Sequence, residues 1–256
     1  MLKDFNVWEG VYESFSKSPS CGKGYDSNKW IESSYKKMKE SLSKLNKNEF
    51  TNSSIAFNSS PLFIISSLLY AKKKKLKILD FGGGMGISFV ELISVLPESK
   101  NLSFTIIDNK KTCEKANNLF KKDSRIEFKD ELLPRDKYDI VHISSSLQYI
   151  KDWKILIKLL CTEYNAEYFI FNDLPAGNIK KTYATIQNYY SSKIPYWFFK
   201  TEDILNEMNK HNYKLIFKSN FLNNILNKYE YMPQMNFEVD YRIGYAKNLI
   251  FKSKIS

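Results

Sequence analysis

The stretch KILDFGGGMG, Lys77 to Gly86, runs from aliphatic residues to an aspartate and then packs four glycines into the five positions Gly82 to Gly86. Leu76 to Phe81 has the length and apolar content of a buried strand, and the glycines that follow force a turn before the next periodic segment. That segment, Met85 to Leu96, has helical spacing. The same alternation then repeats: strand Ser103 to Ile107, helix Lys111 to Phe120, strand Arg125 to Phe128, strand Asp139 to Ser144, helix Asp152 to Thr162 and strand Tyr168 to Phe171. Short strands alternating with helices of this kind predict parallel βαβ units and a doubly wound α/β sheet. The tail adds a helix, Glu202 to Asn209, a strand, Tyr213 to Phe217, and a final strand within Tyr241 to Phe251.

Upstream, Asn28 to about Asn46 places Trp30, Ile31, Tyr35, Met38, Leu42 and Leu45 at spacings near three and four, which predicts an amphipathic helix, and a second helix is predicted over Pro61 to Ala71. Residues 1 to about 24 read as a loop-rich cap. We therefore divide the chain into an N-terminal cap with helices, 1–75, and a core, 76–256, within one domain. At 256 residues and 43% hydrophobic, the chain has ample material for such a core.

Composition removes several functions. Of 39 basic residues only Arg125, Arg135 and Arg242 are arginine, and lysine spread along the chain at net charge +11 reads as a solvated surface, not a nucleic-acid footprint. Three scattered cysteines, no CxxC pair and two histidines argue against zinc and fit a reducing cytoplasm. No export signal and no long apolar span is evident, so the expectation is a cytoplasmic protein with no integral membrane segment and a small-molecule partner. Its oligomeric state is not legible.

The glycine turn sits where an open α/β sheet binds ligands, beyond the first strand's carboxyl end. A phosphate-binding P-loop needs Lys-Ser/Thr after the last glycine, and Ile87-Ser88 stands there. A dinucleotide fingerprint counted from Gly82 needs a small residue at 87, where the isoleucine is too large for close helix–strand packing. The pattern that fits is Asp80-x-Gly82-x-Gly84-x-Gly86, which resembles motif I of the class I S-adenosylmethionine (SAM) methyltransferases.

That resemblance implies a Rossmann-like, mostly parallel seven-stranded sheet and SAM as cofactor, with S-adenosylhomocysteine (SAH) as product. Gly82, Gly84 and Gly86 would let the backbone approach the methionine tail, and Asp80 would accept from its ammonium. Asp108 closes the second strand, 22 positions after Gly86, where a carboxylate suits the ribose hydroxyls. Asp130 or its neighbour would reach the adenine amine, and Ser144 and Gln148, at the mouth of the fourth strand, would meet the cofactor.

The likeness extends along the chain. WEGVYESF (Trp8 to Phe15), GYD (Gly24 to Asp26), DFGGGMG, SSSLQYI (Ser144 to Ile150), IQNYY (Ile186 to Tyr190) and PYW (Pro195 to Trp197) resemble, in order, a methyltransferase family found in bacterial capsule and O-antigen loci. Membership implies SAM-dependent O-methylation in surface-polysaccharide biosynthesis, with a sugar hydroxyl as acceptor, most plausibly on a nucleotide-activated sugar such as a heptose. Methylation of a phosphoramidate or other phosphate-derived glycan substituent, methylation of a finished glycan, and a non-catalytic SAM- or nucleotide-binding scaffold are the alternatives. The segment FNDLPAG (Phe171 to Gly177) departs from the Asp-Arg-Thr-Pro-like pattern of many members.

Methyl transfer to a hydroxyl needs alignment and a base. The candidates are Asp173, after the fifth strand, and His142, two residues deep in the fourth. Trp8, Tyr12 and Tyr25 are expected to fold over the acceptor, Tyr149 and Trp197 to contact it, and Lys193, with Lys151, Lys180 and Lys181, to attract a diphosphate. No carboxylate cluster with metal-ligand character is evident, so no metal is expected.

Overall fold

Alternating side chains along the central strands divide the core into two layers, Ile78 packing to one face of the sheet and Leu79 to the other. The computed structural model describes residues 5–46, 60–96, 98–132, 136–189, 191–225 and 228–254. In chain order these form β1 (Trp8–Tyr12), α1 (Asn28–Asn46), α2 (Ser60–Lys73), β2 (Leu76–Phe81), α3 (Ile87–Val95), β3 (Leu102–Ile107), α4 (Lys110–Leu119), β4 (Ile126–Lys129), β5 (Ile140–Ser144) and α5 (Trp153–Tyr164). They continue with β6 (Tyr168–Leu174), β7 (Ala176–Gly177), β8 (Tyr183–Tyr189), β9 (Ser192–Lys200), α6 (Thr201–Lys210), β10 (Tyr213–Phe221), β11 (Asn223–Ile225), β12 (Lys228–Glu230) and β13 (Ala246–Ser253).

The main sheet has seven strands in the order β10-β13-β6-β5-β2-β3-β4. The pairs from β6 to β4 are parallel, and β13 runs antiparallel to both β6 and β10. The chain winds outward from β2 through β3 and β4, then returns to β5 on the other side. That reversal opens a crevice at the carboxyl ends of β2 and β5, which is where doubly wound sheets bind ligands. One face is covered by α1, α2, α3 and α4, with Ile31, Leu62, Phe89 and Phe104 nearly inaccessible. The other face is covered by α5 and α6, with Leu160, Phe169, Ile204 and Met208 fully buried.

Helix ends follow local chemistry. The Asn109 side chain accepts from the Thr112 amide at 3.0 Å and starts α4, and Glu202 and Asp203 in the first turn of α6 oppose Lys210 in its last, matching the helix dipole. Of the Lys72 to Lys75 run, expected to be a solvated connection, Lys73 is held between Asp139 (2.6 Å) and Glu167 (3.0 Å).

The N-terminal segment corrects the expected loop-rich cap. β1 pairs antiparallel with β8, β8 with β9, and β7 runs parallel to β9, giving a second, four-stranded sheet. Its own core contains Trp8, Tyr183, Tyr196, Phe198, Phe237 and Ile243. The segment before residue 75 therefore shares a sheet with strands from 176–200.

Candidate functional site

Gly82, Gly84 and Gly86 have φ of +71°, +58° and +94°, so the chain after β2 turns through left-handed conformations that only glycine adopts without strain. Each glycine has its own reason. A Cβ at Gly82 would lie 2.3 Å from Ser146 Cβ, and one at Gly86 would press on Ile106, Ile126 and Phe128, where α3 begins against the sheet. A Cβ at Gly84 would meet nothing within 4 Å, because this part of the turn faces open space.

That space is a cavity of about 1490 Å³ over the sheet's switch point. Pockets for one small ligand run to roughly 1,000 Å³, so there is room for two molecules side by side. On one side lie the turn and Asp108, whose Oδ2 accepts from the Gly84 amide at 2.9 Å and whose Oδ1 accepts from the Asn109 amide at 2.7 Å. Burial holds the Asp108 carboxyl above the usual aspartate range, a shift that those two amide donors oppose without cancelling. Asp130, Ser144 and Gln148 complete this side.

On the other side the accessory sheet and the N-terminal segment contribute Trp8, Tyr25, Gln187 and Tyr196, facing Tyr149. The Tyr25 hydroxyl donates to the Tyr149 hydroxyl at 2.7 Å, which donates to Gln187 Oε1 at 2.8 Å. Between the two sides, at the ends of β5 and β6, Ser145 and Asp173 take φ of +51° and +49°. The Ser145 hydroxyl donates to Asp173 Oδ2, and the Ser145 amide donates to the Asn172 carbonyl at 3.1 Å. Two neighbouring non-glycine residues in this region cost about 1–3 kcal/mol each, a pattern that concentrates at functional sites.

No family model matches the chain, and no curated protein matches it in sequence. Solved structures do. The chain superposes on a SAM-dependent methyltransferase from Clostridium acetobutylicum with a TM-score of 0.50 and 17% identity, covering 86% of this chain and 98% of that one. A SAM-dependent methyltransferase from Methanosarcina mazei gives 0.51 at 14% identity, with coverages of 70% and 92%. The 1,6-didemethyltoxoflavin-N1-methyltransferase of Burkholderia thailandensis, solved with 1,6-didemethyltoxoflavin and SAH bound, gives 0.51 at 10% identity, with coverages of 92% and 94%. The fold is that of the SAM-dependent methyltransferases.

Within this methyltransferase fold, the residues singled out from sequence separate into three groups. Gly82, Gly84, Asp108, Asp130, Ser144, Gln148, Tyr149, Asp173, Trp8 and Tyr25 line the one cavity. Asp80, His142 and Gly86 lie beneath it. Asp80 is fully buried, its Oδ1 is 2.8 Å from His142 Nδ1, and its Oδ2 would be 2.6 Å from a Cβ at Gly83. This pair underpins the turn from below, and neither Asp80 nor His142, 2% exposed, forms part of the cavity wall.

Tyr12, Trp197 and Lys193 stand outside the cavity walls. Trp197 stacks on Phe15 with ring centroids 4.9 Å apart and donates from Nε1 to the Ile150 carbonyl at 3.1 Å, so it ties the N-terminal segment to the loop after β5. Tyr12 pairs with Ala184 across the accessory sheet, and Lys193 faces Glu9 at 3.8 Å. Lys151, Lys180 and Lys181 likewise contribute nothing to the walls. Sequence reasoning passed over Ser145 and Gln187, although both fall inside segments it had quoted.

Proposed function

We propose that the protein is a SAM-dependent O-methyltransferase whose acceptor is a sugar hydroxyl in bacterial surface-glycan assembly. The observation that carries the enzymatic part is the joining, in one cavity, of a glycine turn open at Gly84 and a buried Asp108 with a strained Ser145–Asp173 pair across from them. The cavity fits SAM on the turn side, since Gly84 leaves room for the methionine tail and the Asp108 carboxylate can exchange amide donors for ribose hydroxyls. Asp130 or Glu131 would meet the adenine, and Ser144 and Gln148 the methionine end. What supports the sugar acceptor is the resemblance carried by WEGVYESF, SSSLQYI and IQNYY.

When bound, SAM supplies a methyl group on a sulfonium sulfur that leaves uncharged. The Asp173 carboxylate would take the proton that the acceptor hydroxyl gives up as its oxygen receives the methyl group. Ser145 orients that carboxylate through its hydroxyl, and the left-handed backbone at both residues keeps the pair at the cavity floor. The protein's work is otherwise alignment of two ligands and exclusion of water.

The test is binding and turnover together. SAH should bind by titration calorimetry, and mass detection should find a methyl gain on sugars offered with SAM. Binding without transfer to any acceptor would favour a non-catalytic scaffold.

A further inference from the structure

The half of the cavity away from the glycine turn has a chemistry of its own. Tyr25, Tyr149, Tyr189 and Tyr196 form a chain of rings, with centroids 4.8 Å apart for Tyr25–Tyr149, 5.3 Å for Tyr25–Tyr189 and 5.2 Å for Tyr149–Tyr196. Burial, with a further contribution from the negative charge of Asp173, keeps the hydroxyls of Tyr25, Tyr149 and Tyr196 protonated well above their ordinary range. These walls therefore offer ring faces and neutral hydroxyl and amide edges.

The charges around the cavity have one dominant sign. Its described walls hold the carboxylates of Glu40, Asp108, Asp130, Glu131 and Asp173 against the single ammonium of Lys37. Lys37 and Glu40 are one helical turn apart on the exposed part of α1, so the rim's one cation is offset by its neighbour.

We infer that the acceptor occupies this tyrosine-lined half as an uncharged, polyhydroxylated ring that carries no nucleoside diphosphate. The inference rests on the methyltransferase reading and narrows it. A pyranose sets its C–H face on aromatic rings and its hydroxyls on the amide and phenol edges. A diphosphate in this half would bring at least two negative charges towards Asp173, with Asp108, Asp130 and Glu131 across the same cleft and no described cation but Lys37 to meet them. The net charge of +11 does not offset this, because among the described residues the basic side chains other than Lys37 sit outside the cavity walls.

The test uses the full chain with isotopically labelled SAM and two sets of probes: methyl glycosides of hexoses and heptoses, and the uridine and guanosine diphosphate forms of the same sugars. The glycosides should be used more efficiently by roughly tenfold or more, the factor expected of one or two solvent-weakened like-charge contacts, and their KM should not change as salt is raised. Glu40→Lys should shift the ratio of diphosphate-sugar to glycoside turnover severalfold towards the diphosphate sugars. A native preference for the diphosphate sugars, with KM rising with salt, would overturn the inference. So would transfer only to a flat aromatic alcohol, or SAH binding with no glycoside bound or methylated. Failure to bind SAH at all would instead remove the cofactor reading and this inference with it.

Discussion

Asp108 holds the turn through the Gly84 amide, yet its buried carboxyl is harder to ionise than an exposed one. A raised folded-state pKa means that the folded protein binds this proton more tightly than the unfolded chain. Asp108 therefore favours folding below its unfolded pKa, and that contribution is lost as pH rises through the raised value. Asp108→Asn should accordingly remove the fall in melting temperature that the ligand-free native protein shows as pH rises through that value, while turning its NH2 group towards one of the two amide donors that the carboxylate accepts from. The same substitution should weaken SAH binding by about 1.5–3 kcal/mol, the range for hydrogen bonds to a charged group. A variant that keeps the native pH dependence of melting and the native SAH affinity would show that Asp108 is an ordinary turn residue. Asp173→Asn should lower turnover by roughly 10²- to 10⁴-fold with SAH affinity intact, because a base acts in the transition state. Ser145→Ala should give a smaller loss, since the carboxylate stays in place but loses the hydroxyl that orients it. An active Asp173→Asn beside a folded but inactive His142→Asn would exchange the two residues' roles.

At the level of elements, the accessory sheet makes the N-terminal segment part of the folded body. Trp8 is 2% exposed and packs against Tyr196 and Phe198 at 5.6 and 5.5 Å. Trp8→Ala should cost about 3–5 kcal/mol, as large-to-small changes in cores do, and removing residues 1–24 should unravel β8 and β9 instead of leaving an intact domain without its lid. A truncated protein with an unchanged denaturation midpoint would refute this. The central strands were legible because β2 to β6 are apolar and bounded by turn residues; β2 runs over Leu76–Phe81 as read. The hairpin β8–β9 was not. Asn188, Gln187 and Pro195 interrupt its alternation, and its aromatic residues suit a core or a binding face equally. β1 was hidden by Gly10, at φ +78°, and by the register shift between Glu9 and Tyr12. Site residues on strand ends, Asp108 and Asp173, could be placed by counting. That Asp80 points under the turn, and that Trp197 packs on Phe15, depends on tertiary contacts which spacing does not encode.

For the whole molecule, the basic surface and the acidic cavity pull in opposite directions, and the cavity decides which ligands stay. Its two halves come from different parts of the fold: the sheet's switch point supplies the turn, Asp108 and Asp130, and the accessory sheet with the N-terminal segment supplies the aromatic wall. The central claim is that the turn half binds SAM. The most direct test is calorimetric titration of SAH into the native protein and into Gly84→Asn, a residue that tolerates the left-handed backbone (φ +58°) better than other side chains and would project into the open space beside the turn. Saturable one-to-one binding to the native protein is expected, with its loss in a variant that still melts cooperatively. Equal SAH affinity in the two proteins, or none in either, would contradict it.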